Sequence, residues 1–124
     1  MKEFVSHRTA ARMWDIPYLG AILREENDEV ASVDITYSTR GARLPRKGRN
    51  VHCSGLSLPS GAVVIKDDCR IASPELVFLE LAHEFDIHKL ILLGLQLCSH
   101  PPGHPELAIT TIKRIIRFVA KVSG

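Results

Sequence analysis

The residues most able to bind a metal ion are Cys98, His100 and His104, which flank a Pro-Pro-Gly turn. Zinc sites use cysteine and histidine at short spacings of this kind. The residues that could supply a fourth ligand are His52, Cys53 and Cys69, and none belongs to a paired motif. Cys98 also falls on the apolar face of a predicted helix, where a free cysteine behaves as a small hydrophobic side chain. We therefore predict no metal site and no cofactor.

Serine and carboxylate catalysis lack the sequence context that they need. Ser54 and Ser60 precede glycines in predicted turns and do not form a nucleophile elbow. The chain contains neither a Walker loop nor a Gly-x-Gly-x-x-Gly run. Asp67 and Asp68 are a close acidic pair, as in metal-dependent nucleases, but the Glu-x-Lys arrangement expected on a following strand is missing. We predict no catalytic residues and no enzymatic activity.

The strongest local signal is a basic segment that also contains glycine and proline. Its five positively charged residues are Arg40, Arg43, Arg46, Lys47 and Arg49. Such a segment could neutralise phosphates without reading base sequence, or contact an acidic protein surface. No aromatic residue is interleaved for base stacking, and an ordinary solvated loop has the same composition. We predict that this segment contacts nucleic acid or a protein partner.

The composition is typical of one soluble globular domain. Of the 124 residues, 45% are hydrophobic and 24% are charged, and the net charge is +2. That charge is too small to indicate a dedicated nucleic-acid module. Three cysteines without a Cys-x-x-Cys pair favour a reducing cytoplasm. The richest apolar stretch, 90–97, is too short to cross a bilayer, so we expect a cytoplasmic protein without membrane association.

Hydrophobic periodicity predicts one helix followed by a small sheet. The helix follows Ser6, whose hydroxyl can cap its first turn, and ends before Pro17. Alternation of Val33, Ile35 and Tyr37 with polar residues predicts a half-buried strand. Further short strands are predicted at 50–54, 62–66 and 69–72, the last two joined at Asp67-Asp68. We expect these strands to form an antiparallel sheet.

Three more helices are predicted after the sheet. Ser73-Pro74 is a strong helix start, and Asp86 and Thr110 are predicted caps of the next two helices. Gly94 costs its helix about 1 kcal/mol relative to alanine, which is tolerated where another element packs closely. The apolar stripe of the last helix consists of Ile112, Ile115, Ile116 and Val119. The predicted fold is α+β, with an N-terminal helix, a small antiparallel sheet and three C-terminal helices packed on it.

Four segments occur in an order typical of one known family. SHRTAARMW (6–14) is similar to a "SHxSAAxLW" pattern, VHCSGLSLP (51–59) to "vHrsxLp", and CRIASPELVFLELA (69–82) to "gipvtSPxxTLxDLA". LLGLQLC (92–98) resembles "LGxELCG". Together they resemble the AbiEi-type antitoxin domain, and the last pattern its nuclease-linked branch. In that branch the domain opens actinobacterial proteins with a very-short-patch-repair-like endonuclease in their C-terminal half.

The resemblance implies a regulatory domain of a toxin–antitoxin or phage-defence system. Its partner would be a protein, such as a toxin or nuclease subunit, or DNA. The family's recurrent polar positions match Ser6, His7, His52, Ser73 and Glu80, and the resemblance implies a structural or partner-binding network there. No winged-helix or nuclease neighbour is recognised, so we expect residues 1–124 to form a single domain. The alternatives are the specificity half of a split or truncated endonuclease of this kind and a fragment without a present function.

The last helix also bears on oligomerisation. If a missing C-terminal half normally covers part of this helix, Ile112, Ile116 or Phe118 would be left bare. Homodimerisation is the simplest way to bury such a patch. We therefore keep a homodimer as a hypothesis.

Overall fold

A computed structural model describes residues 3–24, 33–37, 49–53 and 58–123. The strands within these ranges are β1 (Glu3–Val5), β2 (Val33–Tyr37), β3 (Arg49–Cys53), β4 (Val63–Lys66) and β5 (Cys69–Ala72). The helices are α1 (His7–Met13), α2 (Leu19–Leu23), α3 (Pro74–Ala82), α4 (Ile87–Cys98) and α5 (Ile112–Ser123), with a 3₁₀ turn at Pro105–Leu107. These elements confirm the α+β class. No helix in the described ranges has the length and apolar character needed to cross a membrane.

The sheet has five strands in the order β3-β2-β1-β5-β4 and is mixed. The pairs β1–β2 and β4–β5 are antiparallel, whereas β1–β5 and β2–β3 are parallel. The expectation of an antiparallel sheet is therefore wrong for two of the four pairs. One physical reason is chain length between strands, because the 11 residues between β2 and β3 are close to the dozen or so that a parallel crossover needs.

The N-terminal strand β1 is the strand that the sequence analysis missed. It occupies the centre of the sheet, where Val5 pairs with both Ile35 and Ile71. Three residues are too few to show a period of two, so its pattern carries no strand signal. Phe4 and Ile71 are buried beneath the helices, and α1 therefore leaves the sheet at its centre.

Of the three caps predicted for the C-terminal helices, two are confirmed and one is corrected. Ser73 accepts a hydrogen bond from the amide of Leu76 at 3.2 Å, and Asp86 accepts one from the amide of Lys89 at 2.9 Å. Thr110 does not cap α5, because Thr111 accepts from the amide of Arg114 at 3.2 Å. The buried Thr110 hydroxyl instead donates to Oε2 of Glu75 at 2.5 Å. This bond ties the start of α5 to α3.

The core lies between the sheet and the helices. Its largest fully buried apolar side chains are Ile71, Val77, Leu81, Leu93 and Leu97. Gly94 marks the close approach of α4 to α3, because a Cβ at this position would lie 3.2 Å from Cε1 of Phe78. The expectation that a second element packs closely on this glycine is confirmed.

Candidate functional site

Four of the five polar positions singled out by the family resemblance lie together where α1, β2, β3 and α3 meet. Ser6 directly precedes α1 and His7 begins it, whereas His52 comes from β3 and Glu80 from α3. The rings of His7 and His52 stack with their centroids 3.8 Å apart and 15° between their planes. Ser73, the fifth position, has a different role, since it caps α3.

Two residues of β2 join this cluster although the sequence analysis did not single them out. Asp34 and Thr36 are only 7% and 3% exposed, so the polar face of β2 is buried. The pattern of Val33, Ile35 and Tyr37 identified the strand, but its polar face was not expected to pack inward. We call the assembly of Ser6, His7, Asp34, Thr36, His52 and Glu80 the histidine cluster.

Hydrogen bonds account for the burial of these polar groups. The Thr36 hydroxyl donates to Oγ of Ser6 at 2.7 Å, and Ser6 Oγ lies 2.9 Å from Nδ1 of His7. Nε2 of His52 lies 3.2 Å from Oδ1 of Asp34. A buried polar side chain is tolerated when such partners replace water.

The first turn of α1 is capped by carboxyl groups from other elements. Ser6 occupies the predicted cap position, but its side chain makes no capping bond. The amide of His7 donates to Oε1 of Glu80 at 2.9 Å, and the amide of Thr9 donates to Oδ2 of Asp34 at 3.3 Å. The prediction of a hydroxyl cap is therefore wrong, because the Ser6 hydroxyl is already engaged by Thr36 and His7.

The backbone at His7 adopts the left-handed region, with φ of 51°. Residues other than glycine adopt this conformation at a cost of about 1 kcal/mol or more. The hydrogen bond from the His7 amide to Glu80 and the stacked ring of His52 hold His7 in place. The histidine cluster thus stabilises a conformation that the local sequence disfavours.

Burial leaves His7 uncharged at pH 7 and Glu80 only partly ionised. Burial raises the pKa of Glu80 from 4.5 to about 7, although the hydrogen bond from the His7 amide lowers it. Burial, and then repulsion from His52, lowers the pKa of His7 from 6.5 to about 4. The separation of 3.6 Å between His7 Nδ1 and Glu80 Oε2 is therefore a contact between an uncharged imidazole and a carboxyl group, and not an ion pair.

A cavity of about 300 Å³ borders the histidine cluster. It is lined by His7, His52 and Glu80 together with apolar side chains such as Phe4 and Leu76. Ser6 is completely buried, so its hydroxyl cannot reach a substrate as a nucleophile. In the part of the chain that the structure describes, no group of three or more His, Cys, Asp or Glu side chains could hold a metal ion.

The residues first considered as zinc ligands have other surroundings. Nδ1 of His100 lies 2.9 Å from the Pro101 carbonyl oxygen, and Nδ1 of His104 lies 3.1 Å from Oε1 of Glu106. Cys98 is half-buried at the end of α4, and burial raises the pKa of its thiol. Asp67 and Asp68 form the predicted turn between β4 and β5, both with positive φ.

A second feature is an apolar groove between α4 and α5. Its volume is about 310 Å³, and Phe78 of α3 completes its lining. Five isoleucine and leucine side chains that line it are between 53% and 65% exposed. They are Ile87, Ile91 and Leu95 of α4 and Ile112 and Ile116 of α5. We call this feature the helical groove.

The groove separates two apolar faces that the sequence pattern merged. The pattern predicts one apolar face that contains Ile87, Ile91 and Leu97, but Leu97 enters the core of the protein whereas Ile87 and Ile91 line the groove. In α5, Phe118 is 6% exposed, so the hypothesis that it is bare is wrong for this residue. Ile112 and Ile116, the other two residues of that hypothesis, are exposed.

Most of the basic segment lies outside the residues that the structure describes. Arg40, Arg43, Arg46 and Lys47 lie outside the described residues, and Arg49 begins β3. The structure therefore does not test the predicted contact with nucleic acid or a partner.

Comparison with protein-family models, curated proteins and solved structures gives no match. The AbiEi-type resemblance accordingly stays a prediction from the four sequence segments.

Proposed function

We propose that this chain is a non-catalytic binding domain of the toxin–antitoxin or phage-defence kind that holds a protein partner in its helical groove. The observation that carries the proposal is the exposure of five large apolar side chains on facing helices. Single exposed apolar residues are ordinary, but contiguous ones covering several hundred Å² mark interaction sites. A cytoplasmic setting fits the free thiols of Cys69 and Cys98.

The histidine cluster supports a non-catalytic role. Its polar groups bond mainly to one another and to the start of α1. These bonds join α1 to β2 and α3, which is the work of a structural network. The same bonds hold α3, which supplies Phe78 to the lining of the groove, and a pre-organised lining lowers the entropic cost of binding.

Partner capture by matched variants tests the proposal. The groove variant is Ile91→Gln/Ile116→Gln, and the control is Ile65→Gln/Leu107→Gln, which changes two comparably exposed side chains outside the groove. Each apolar side chain that a partner covers contributes about 2 kcal/mol. We expect the groove variant to retain at least about tenfold less of a specific protein than the wild type, with the control unchanged. Immobilised chains, nuclease-treated host lysate and quantitative mass spectrometry provide the measurement.

The identity of the captured protein separates two versions of the proposal. A toxin supports the antitoxin-like version, and a nuclease subunit supports the split-endonuclease version. Equal retention by the groove variant and the wild type would remove the groove from the proposal. All four replaced side chains are exposed, so unfolding temperatures close to that of the wild type should accompany either result.

A second candidate function, nucleic-acid binding, is favoured by the five positive charges between Arg40 and Arg49. Replacement of Arg43, Arg46 and Lys47 by glutamate is expected to weaken DNA binding by at least about tenfold at low salt, because phosphate contacts are lost and repulsion is added. Stability should not fall. Anisotropy of a labelled duplex over a salt series measures the effect, and unchanged binding by the triple variant would exclude the segment as the contact.

A further inference from the structure

The shape of the helical groove fits a helix. Its walls are α4 and α5, and the amide of Thr110 donates to the carbonyl of Leu97 at 3.0 Å, which fastens the end of α4 next to the start of α5. Apolar residues recur every four positions along each wall, as at Ile87 and Ile91. A partner helix places an apolar stripe with i, i+4 and i+7 spacing into a groove of this kind.

The walls of the groove carry charge of one sign. The sequences of α4 and α5, IHKLILLGLQLC and IKRIIRFVAKVS, contain no acidic residue. At about 100° per residue, Lys113 projects from α5 about 60° from Ile116, on the side away from the buried Phe118, and Arg117 lies one turn beyond Lys113 on the exposed face. Among the described residues, neither Lys113 nor Arg117 forms an ion pair.

Two acidic residues close to the groove in sequence are already bonded within the fold. Asp86 caps α4 through the amide of Lys89, and Glu75 accepts from the Thr110 hydroxyl. Neither of these two carboxyl groups pairs with Lys113 or Arg117, which form the basic flank of α5. The groove therefore combines an apolar centre with a positively charged border, and its complement is an apolar stripe bordered by negative charge.

We infer that the helical groove binds an amphipathic α-helix of a protein partner whose apolar stripe is flanked by Asp and Glu. The inference rests on the proposed partner-binding function and adds the chemistry of the partner. Lys113 and Arg117 select the partner by charge, and Ile87, Ile91 and Ile116 supply the apolar contacts.

Other occupants fit the groove less well. In a dimer of two copies joined through this face, the basic flanks would meet walls that contain no acidic residue. A bilayer surface is flat on this scale and would leave the cavity of about 310 Å³ unfilled. Nucleic acid would find hydrophobic side chains where it needs hydrogen-bond donors.

Selection from a display library of helical peptides tests the inference. Each peptide of ~18 residues carries leucines at helical spacing, and the positions bordering the stripe are randomised among Glu, Lys, Gln and Ser. Binders are selected against the wild-type chain and against Lys113→Glu/Arg117→Glu. We expect Glu to be enriched over Lys by about tenfold with the wild type, and Lys over Glu with the charge-reversed variant. Anisotropy titration of selected peptides then compares their affinities for the wild type and for Ile91→Gln/Ile116→Gln.

Each result that contradicts the inference has its own meaning. If peptides bind in the groove without a preference for Glu or Lys, the partner helix does not need an acidic flank, and the proposed function is unaffected. A library without binders, or binders indifferent to Ile91→Gln/Ile116→Gln, would overturn the helix-binding assignment, and failure of lysate capture would independently reject the proposed function. Light scattering that shows a dimer abolished by the groove variant would assign the groove to a second copy. Groove-dependent binding to phosphatidylglycerol vesicles would assign it to lipid.

Discussion

Replacement of Asp34 by alanine is expected to lower the free energy of unfolding by about 3 kcal/mol. The Asp34 carboxylate accepts from the amide and hydroxyl of Thr9, both at 3.3 Å, and contacts Nε2 of His52 at 3.2 Å. Alanine would leave these donors without that acceptor in a region largely closed to water. It would also remove negative charge from the N-terminus of α1, where the helix dipole favours it.

Urea unfolding followed by fluorescence of Trp14 measures this loss. Trp14 is a suitable reporter because its indole N–H donates to the carbonyl of Ala72 at 2.8 Å and so links α1 to β5. Asp34→Asn is the matched control, since its amide oxygen still accepts a hydrogen bond, and we expect it to lose about 1 kcal/mol. An alanine variant as stable as the wild type would show that the capping bonds do not stabilise the fold. Equal losses in both variants would assign the effect to the charge.

Replacement of Glu80 by glutamine is expected to stabilise the protein above neutral pH. Burial raises the pKa of Glu80 from 4.5 to about 7, so the native state favours the protonated carboxyl group. Its contribution to stability is fully present below pH 4.5 and is lost as the pH rises through about 7. A shift of this size corresponds to a loss on the order of 3 kcal/mol. Glutamine stays neutral and can still accept from the His7 amide.

The pH dependence of His7 has the opposite direction. Its pKa is lowered from 6.5 to about 4, so its contribution to stability is present above pH 6.5 and is lost as the pH falls towards 4. The two effects partly compensate in the wild type. We therefore expect the difference in unfolding free energy between Glu80→Gln and the wild type to be small near pH 4.5 and to grow up to about pH 7.

Urea unfolding of both proteins between pH 4.5 and pH 8 tests this difference. Glu3→Gln, a change at an exposed carboxyl group, is the matched control. If Glu80→Gln and the wild type had parallel pH profiles, Glu80 would have an ordinary pKa in the folded protein. The inference that burial raises the pKa of Glu80 would then be wrong.

Local sequence patterns identified most elements but not how they pair. The Ser73-Pro74 start and the Asp86 cap are confirmed because a cap depends on residues within one helical turn. The mixed sheet was not predicted, since β1 pairs with residues 35–37 and 71. No local period encodes such distant partners.

The residues of the two sites were also predictable only where local sequence patterns identify them, and not where contacts between distant elements bring them together. Asp34 was overlooked because polar residues that alternate in a strand normally face water, whereas here that face meets α1. The family resemblance located His7, His52 and Glu80, but periodicity alone would not have joined them. In α4, the spacing of Ile87, Leu90, Ile91, Gly94, Leu97 and Cys98 predicts a helix with one apolar face. It does not reveal which of these residues enter the core and which line the groove.

The central position of β1 has a consequence for how the protein is made. A ribosome releases the N-terminus first, yet the acceptor for the His7 amide, Glu80, is 73 residues further along the chain. Residues 3–5 therefore leave the ribosome before β2, at 33–37, and well before β5, at 69–72, the two strands that flank them in the sheet. Contacts of such high sequence separation slow folding and favour late closure of the core. The nascent chain exposes Phe4 and the unpaired edges of β1 during synthesis, and chaperone contact is expected to concentrate on this strand.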